Sequence, residues 1–268
     1  MRARSSARMD QGTSLETDTQ AADPIEESRR IVRVAHEKHV TLRLIGGLAI
    51  RFHCHGEHAA HLREYHDIDL FGLRKKSEAI FSVFQDLDYS PNDRFNSLYH
   101  ETRLQFIHKI SGKNVDLFLD KFVMEHILDF RERLRLDELT IPITDLLLTK
   151  LQIERQTEKD VKDTIAILED HQMGHDDDRE TINLDYIADL CSRDWGLYKT
   201  ITDNLEWMNS YVRKHAPSPK GREELVQKLA AIQKNVGASK KRLRWKVRNV
   251  FGERIKWYEQ VETGEGEV

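Results

Sequence analysis

The chain has 268 residues, 39% hydrophobic and 33% charged, with 42 Lys and Arg against 46 Asp and Glu for a net charge of −4. That length carries one large domain or two modest ones, and so balanced a charge neither requires nor rejects a nucleic-acid partner. Two cysteines, Cys54 and Cys191, exclude a disulfide scaffold and fit a reducing cytoplasm, and no apolar run approaches the ~20 residues that cross a bilayer.

Residues 1–23 are polar and free of aromatics, and read as a disordered leader. Its basic opening through Arg8 is similar in composition to a transit peptide, but acids from Asp10 onward break that pattern. Pro24 starts a helix to about His39 with Ile31, Val32 and Ala35 on its apolar stripe. Thr41 to Ile45 reads as a strand ended by Gly46-Gly47, and Leu48 to His55 resumes helical spacing. His66 to Phe71 is a second strand, Lys75 to Leu87 an amphipathic helix, and Thr102–Lys109 with Asn114–Leu119 a hairpin across Gly112-Lys113. Leu139-Thr140-Ile141 is a last short strand before Pro142. Everything beyond has 3.6-residue periodicity: Ile143–Gln156, Glu158–His171, Leu184–Arg193, Trp195–Lys214 and Arg222–Val250. The expected architecture is α+β, a mixed β-sheet flanked by helices over 24–142, then an all-helical region over 143–258. A short acidic tail, 259–268, closes the chain.

The chemistry concentrates in three places. In His66-Asp67-Ile68-Asp69-Leu70-Phe71 the two carboxylates share one strand face while Ile68 and Leu70 take the other. Carboxylates held side by side repel, and a divalent cation that prefers oxygen, such as magnesium, relieves them. Upstream, Gly46-Gly47 opens a helix where backbone N–H groups suit a phosphate; a plain tight turn is the other reading. Downstream, Asp116 offers a third carboxylate inside a strand. Together they point to metal-dependent transfer to or from a nucleoside triphosphate.

The order Gly46-Gly47-Leu48-Ala49, Arg63-Glu64-Tyr65-His66-Asp67-Ile68-Asp69-Leu70, then Val115-Asp116-Leu117 resembles the nucleotidyltransferase superfamily, which includes DNA polymerase β. The closest likeness is to the AbiEii-type or MenT-type branch of toxin–antitoxin systems. Members carry an Arg four residues before the first Asp, as Arg63 stands here, and follow the sheet with a helical lysine and a Lys-Asp dyad, matched by Lys150 and Lys159-Asp160. The resemblance implies two Mg²⁺ ions on Asp67, Asp69 and Asp116, with Asp116 also taking the acceptor proton. It further implies a nucleoside triphosphate seated by Gly46, Gly47, Arg63, Lys150 and Asp160. Partners it brings into view are a tRNA or protein acceptor and an antitoxin protein, in the cytoplasm and without a membrane. Tyr65 stands where the branch has Thr, and nineteen residues separate Gly47 from Asp67. A second class of reading is a catalytically silent nucleotide-sensing or RNA-binding interaction protein.

Lys150 among leucines either reaches a phosphate or carries its charge to solvent along its aliphatic stem. Lys159, Asp160 and Asp163 also fit a solvated helix face. His53, His55, His58, His61 and His66 crowd one stretch beside Cys54, but no CxxC or HExxH accompanies them and the segment reads as a polar loop. From Ala238 to Tyr258 eight Lys or Arg face one acid, with Trp245, Phe251, Trp257 and Tyr258 interleaved. That pattern suits an RNA backbone, or an amphipathic terminal helix with Leu243, Val247 and Val250 inward.

Overall fold

Five short strands pair into one mixed sheet because each is an apolar run of four to six residues, or three at the edge, punctuated by turns. A computed structural model describes residues 23–54, 65, 67–216 and 218–260; the expected leader and most of the acidic tail lie outside them. The helix α1 (Pro24–Glu37) is capped by Asp23, whose carboxylate accepts from the Ile25 N–H, and buries Ile31, Val32 and Ala35. Then come β1 (Leu42–Ile45), α2 (Gly46–His53), β2 (Ile68–Gly72), α3 (Ser77–Asp86), β3 (Tyr89–Pro91), α4 (Asp93–Tyr99), β4 (Arg103–His108) and β5 (Asn114–Leu119). Spatial order in the sheet is β1-β2-β5-β4-β3. Only β2 and β5 run parallel; the other neighbours are antiparallel. The expected hairpin is β4–β5, with Gly112 at φ +67° in its turn.

A small hairpin, β6 (Lys121–Val123) and β7 (Ile127–Asp129), leads to α5 (Ile143–Leu151) and α6 (Glu158–Asp170). The strands β8 (Gln172–Gly174) and β9 (Thr181–Asn183) then pair in parallel before α7 (Leu184–Arg193), α8 (Trp195–His215), α9 (Pro219–Ala238) and α10 (Leu243–Phe251). The expected α+β architecture is therefore what the chain adopts. One cluster of buried apolar side chains runs from Ile31 through the sheet and α5 to Val236 on α9.

Four expectations need correction. The run Leu139-Thr140-Ile141 makes a single parallel bridge, Leu44 to Thr140, rather than a strand; Asp137 Oδ1 takes the Leu139 and Thr140 N–H groups and turns the chain. The α5 helix stops at Leu151, because the Gln156 side chain bonds the Lys150 carbonyl and Asn204 Nδ2 bonds those of Leu151 and Ile153, out of helical register. The pair β8–β9 interrupts the supposedly all-helical region. Finally, the long terminal helix is two, broken at Ser239. That break lets α10 fold back, with Trp245 edge-on to Tyr198, Arg248 over the Trp195 ring and Asn249 accepting from Trp195 Nε1 at 2.6 Å. The docked face is thus aromatic and cationic, which turns Leu243, Val247 and Val250 outward to solvent rather than inward.

Asp145 on α5 is fully buried, its Oδ2 2.5 Å from Arg133 Nε, and the same guanidinium bonds Asp177 at 3.0 Å and lies 3.7 Å from the Tyr186 ring centre. Breaking a buried pair from one side strands a desolvated charge. We expect Asp145→Ala to cost about 3 kcal/mol and to lower the melting temperature by about 2–4 °C per kcal/mol. A calorimetric melting temperature equal to wild type would show that Asp177 alone satisfies Arg133.

Candidate active site

The sheet register gathers the carboxylates. Asp69 on β2 faces Ile45 on β1 and Asp116 on β5, and Asp116 in turn faces Gln105 on β4. Backbone partners on adjacent strands are about 4.8 Å apart, so Asp69 and Asp116 are neighbours on one face. Asp67 lies two residues before Asp69, just ahead of β2 and exposed. Burial, then Asp116, then Asp67 push the Asp69 carboxyl up to about 7, against the opposing fields of Arg103 and Lys150. Asp116 is steadied from β4, where Gln105 Nε2 donates to Oδ1 at 3.2 Å and Arg103 Nη2 lies 3.3 Å from the same oxygen. The Arg103 guanidinium rests 4.6 Å above the Phe118 ring.

Because Ile45 faces Asp69, the helix that follows Ile45 starts beside that carboxylate. Gly46 has φ +71°, and a Cβ there would fall 2.6 Å from Asp69 Oδ2. Only glycine meets both demands. Gly46 and Gly47 are the first two residues of α2, and the Ile45 cap provides no side-chain acceptor. The opening turn of a helix leaves N–H groups without intrahelical partners and carries partial positive charge. These donors open next to the carboxylates.

Lys150 departs from the free cation envisaged. Its ammonium lies 3.0 Å from Asp160 Oδ1 and 3.0 Å from Asp163 Oδ2. Burial works against that charge, but Asp163 and then Asp160 outweigh it and raise the lysine. Asp160 feels the same burial, yet Lys150 and the Thr157 hydroxyl hold it below its usual range. Asp160 also closes a capping box with Thr157 at the start of α6. The solvated-face reading of Lys159, Asp160 and Asp163 is therefore corrected: Lys159 is exposed, whereas Asp160 and Asp163 turn inward onto Lys150. Tyr65 packs on the core. Arg63, His55, His58, His61 and His66 lie outside the described residues.

Two neighbours of the site escape motif reading, Arg103 and Gln105. Their signal is alternation: both occupy the β4 face that meets Asp116, which becomes visible only once β4 is known to pair with β5. The basic stretch is used in part for structure, since Arg242 approaches Asp189 at 3.3 Å and Arg248 donates to the Gly252 and Ile255 carbonyls at 2.6 Å. Lys240, Arg244 and Lys246 remain exposed. No helix among the described residues is long and apolar enough to cross a membrane.

No family model matches the chain, and no curated protein matches it by sequence. Among solved structures, it is similar to the lincosamide antibiotic adenylyltransferase LnuA in its lincomycin-bound form, with a TM-score of 0.40 and 16% identity over 53% of this chain and 94% of that one. It is also similar to the antibiotic-resistance factor ANT(2'')-Ia, with a TM-score of 0.32 and 11% identity over 84% of this chain and 94% of that one. The functional reading of this chain accordingly rests on its own residues.

Two outcomes follow from this geometry. A carboxyl held near 7 in the fold and near 3.8 when unfolded disfavours the native state progressively as pH rises from about 4 to about 7. Asp69→Asn should therefore melt above wild type at pH 8 in chelator, with the gap closing toward pH 4 and on adding Mg²⁺; coincident melting curves at pH 8 would remove the repulsion from the site. Lys150→Met leaves Asp163 buried without its cation and should cost about 3 kcal/mol by urea titration. An unchanged midpoint would return Lys150 to the role of a free phosphate ligand.

Proposed function

We propose that the chain is a nucleotidyltransferase, moving a nucleoside monophosphate from a nucleoside triphosphate to an acceptor hydroxyl. The observation that carries this reading is the parallel register of Asp69 with Asp116, with the open first turn of α2 against the same carboxylate. Three carboxylates converging without enough cationic charge to hold Asp69 ionised are a donor set suited to magnesium. Asp67, Asp69 and Asp116 would hold two Mg²⁺ ions. Bound there, the ions supply charge neutralisation on the triphosphate and align attacking and leaving oxygens.

The chain's own groups do the rest. N–H groups of Gly46 and Gly47 donate to the phosphate oxygens at the helix opening. Asp116, oriented by Gln105, takes the proton of the acceptor hydroxyl as that oxygen bonds to the α-phosphorus and the bond to the β-phosphate oxygen breaks, releasing pyrophosphate. Lys150, clamped by Asp160 and Asp163, adds positive potential near Asp69 and props α5 against α6. The motif order, with Arg63 ahead of Asp67 and Lys150 ahead of Lys159-Asp160, supports the toxin-type branch, and with it a tRNA or protein acceptor. Retention of all three carboxylates weighs against a silent nucleotide sensor.

The test is incubation of the purified chain with each α-labelled nucleoside triphosphate, Mg²⁺ and either bulk tRNA or a protein lysate. We expect label to move into one size class, and Asp69→Asn or Asp67→Asn to reduce the rate at least 100-fold without loss of fold. Near wild-type turnover in either variant, or no transfer from any of the four triphosphates to either acceptor pool, would overturn the assignment.

A further inference from the structure

The other end of α2 holds a second cluster. His53, the last residue of α2, and His171, which caps α6, are both 2% exposed. Glu180, immediately before β9, reaches them with a half-exposed carboxylate: Oε1 is 3.9 Å from His53 Nδ1 and Oε2 is 3.5 Å from His171 Nδ1. One candidate donor atom from each residue lies within 4.8 Å of the other two.

The hydrogen bonds fix how each ring presents itself. The Thr140 hydroxyl has one hydrogen and gives it to the Ile141 carbonyl at 2.8 Å. Thr140 Oγ1 must therefore accept from His53 Nε2–H, 2.5 Å away. The lone pair of His53 then sits on Nδ1, which is buried and has no hydrogen-bond partner among the described residues. In the same way His171 Nδ1–H donates to the Glu180 carbonyl at 3.1 Å, which leaves its buried Nε2 without a partner among the described residues. Two buried imidazole nitrogens with unused lone pairs are costly to leave unpaired. A ring N–H anchored on a hydroxyl or carbonyl is also how ligating histidines are commonly held.

We propose that His53, His171 and Glu180 form a site for a divalent transition ion of the zinc type. Two imidazoles and one carboxylate are a mixed nitrogen and oxygen set that favours zinc over magnesium or calcium. Donors around four-coordinate zinc lie about 3.3 Å apart; His53 Nδ1 and Glu180 Oε1, at 3.9 Å, are already near that spacing, and His171 would turn its free Nε2 to join them. Arg179 is the competitor. Its Nε is 3.3 Å from Glu180 Oε1, and 2.8 Å from the Oδ2 of buried Asp137. The ion displaces it from Glu180 and leaves it on Asp137, whose charge faces the site. Fourth-position water completes the shell. The role is structural: the ion ties the end of α2 to the end of α6 and the β8–β9 connection. Since α2 has eight residues, the ion stands roughly 12 Å along the helix axis from the Gly46 turn.

The test uses the full chain stripped with chelator. Cobalt(II) titration should give the visible bands of a four-coordinate ion, saturating at one equivalent, and Zn²⁺ but not Mg²⁺ should raise the melting temperature by several degrees in an Asp69→Asn background, where the carboxylate site is disabled. Glu180→Gln alters an exposed side chain, leaves the fold intact and should weaken cobalt binding at least tenfold. A triple variant His55→Ala, His58→Ala, His61→Ala should bind as wild type does. The proposal fails if wild type takes up no stoichiometric cobalt, if Glu180→Gln binds as tightly as wild type, or if the triple variant loses the ion.

Discussion

Asp69 and Asp116 stand opposite one another on the one parallel strand pair in the five-stranded sheet, and this places two carboxylates a single strand spacing apart in a partly buried setting. Like charges at that spacing are unstable unless something of opposite sign comes near. The surrounding structure can be understood as a response to that constraint. The opening turn of α2 aims its partial positive charge at Asp69. Arg103 stands over Asp116 from the neighbouring strand, and Lys150 contributes from behind. None of these neutralises the pair, since Asp69 remains near 7. The residual negative charge is the feature on which the proposed binding of a divalent cation rests.

Lys150 shows how positioning and charge compete within one residue. Its two carboxylate partners, Asp160 and Asp163, make the ammonium tolerable among Leu146, Leu147 and Leu151, and they also fix it at the α5–α6 junction. A lysine so held is a fixed positive potential rather than a mobile arm. The same logic governs Arg133, which serves Asp145, Asp177 and Tyr186 at once. In both cases a buried cation joins a helix to its surroundings, and removing one partner exposes the full desolvation cost of the others.

The helix α2 links the two candidate sites. Its first residue must be glycine for the sake of Asp69, and its last is His53, held by Thr140 against His171 and Glu180. Anything that fixes the His53 end restrains the tilt of a short helix whose other end abuts the carboxylates. An ion at His53 would thus stiffen the Gly46 turn without touching the carboxylates.

Local pattern determined a great deal. The glycine pair marked the start of α2, and helical periodicity located α6 and α8 to within one residue, with a full match for α7 over Leu184–Arg193, while it overran the ends of α5 and α9. Those features depend on neighbours a few residues apart, which a sequence displays directly. What the tertiary structure alone decided depends on long-range pairing: the register that sets Asp69 against Asp116, the strand that brings Arg103 and Gln105 to Asp116, and the inward turn of Asp160 and Asp163 onto Lys150. The meeting of His53 with His171, 118 positions away, has no local signature at all. The outward face of α10 departs from its spacing for a related reason: the aliphatic stripe has ordinary helical spacing, but Arg248 and Trp245 pack on the Trp195 and Tyr198 rings instead. Spacing specifies which residues share a face, and the partner surface specifies which face is buried.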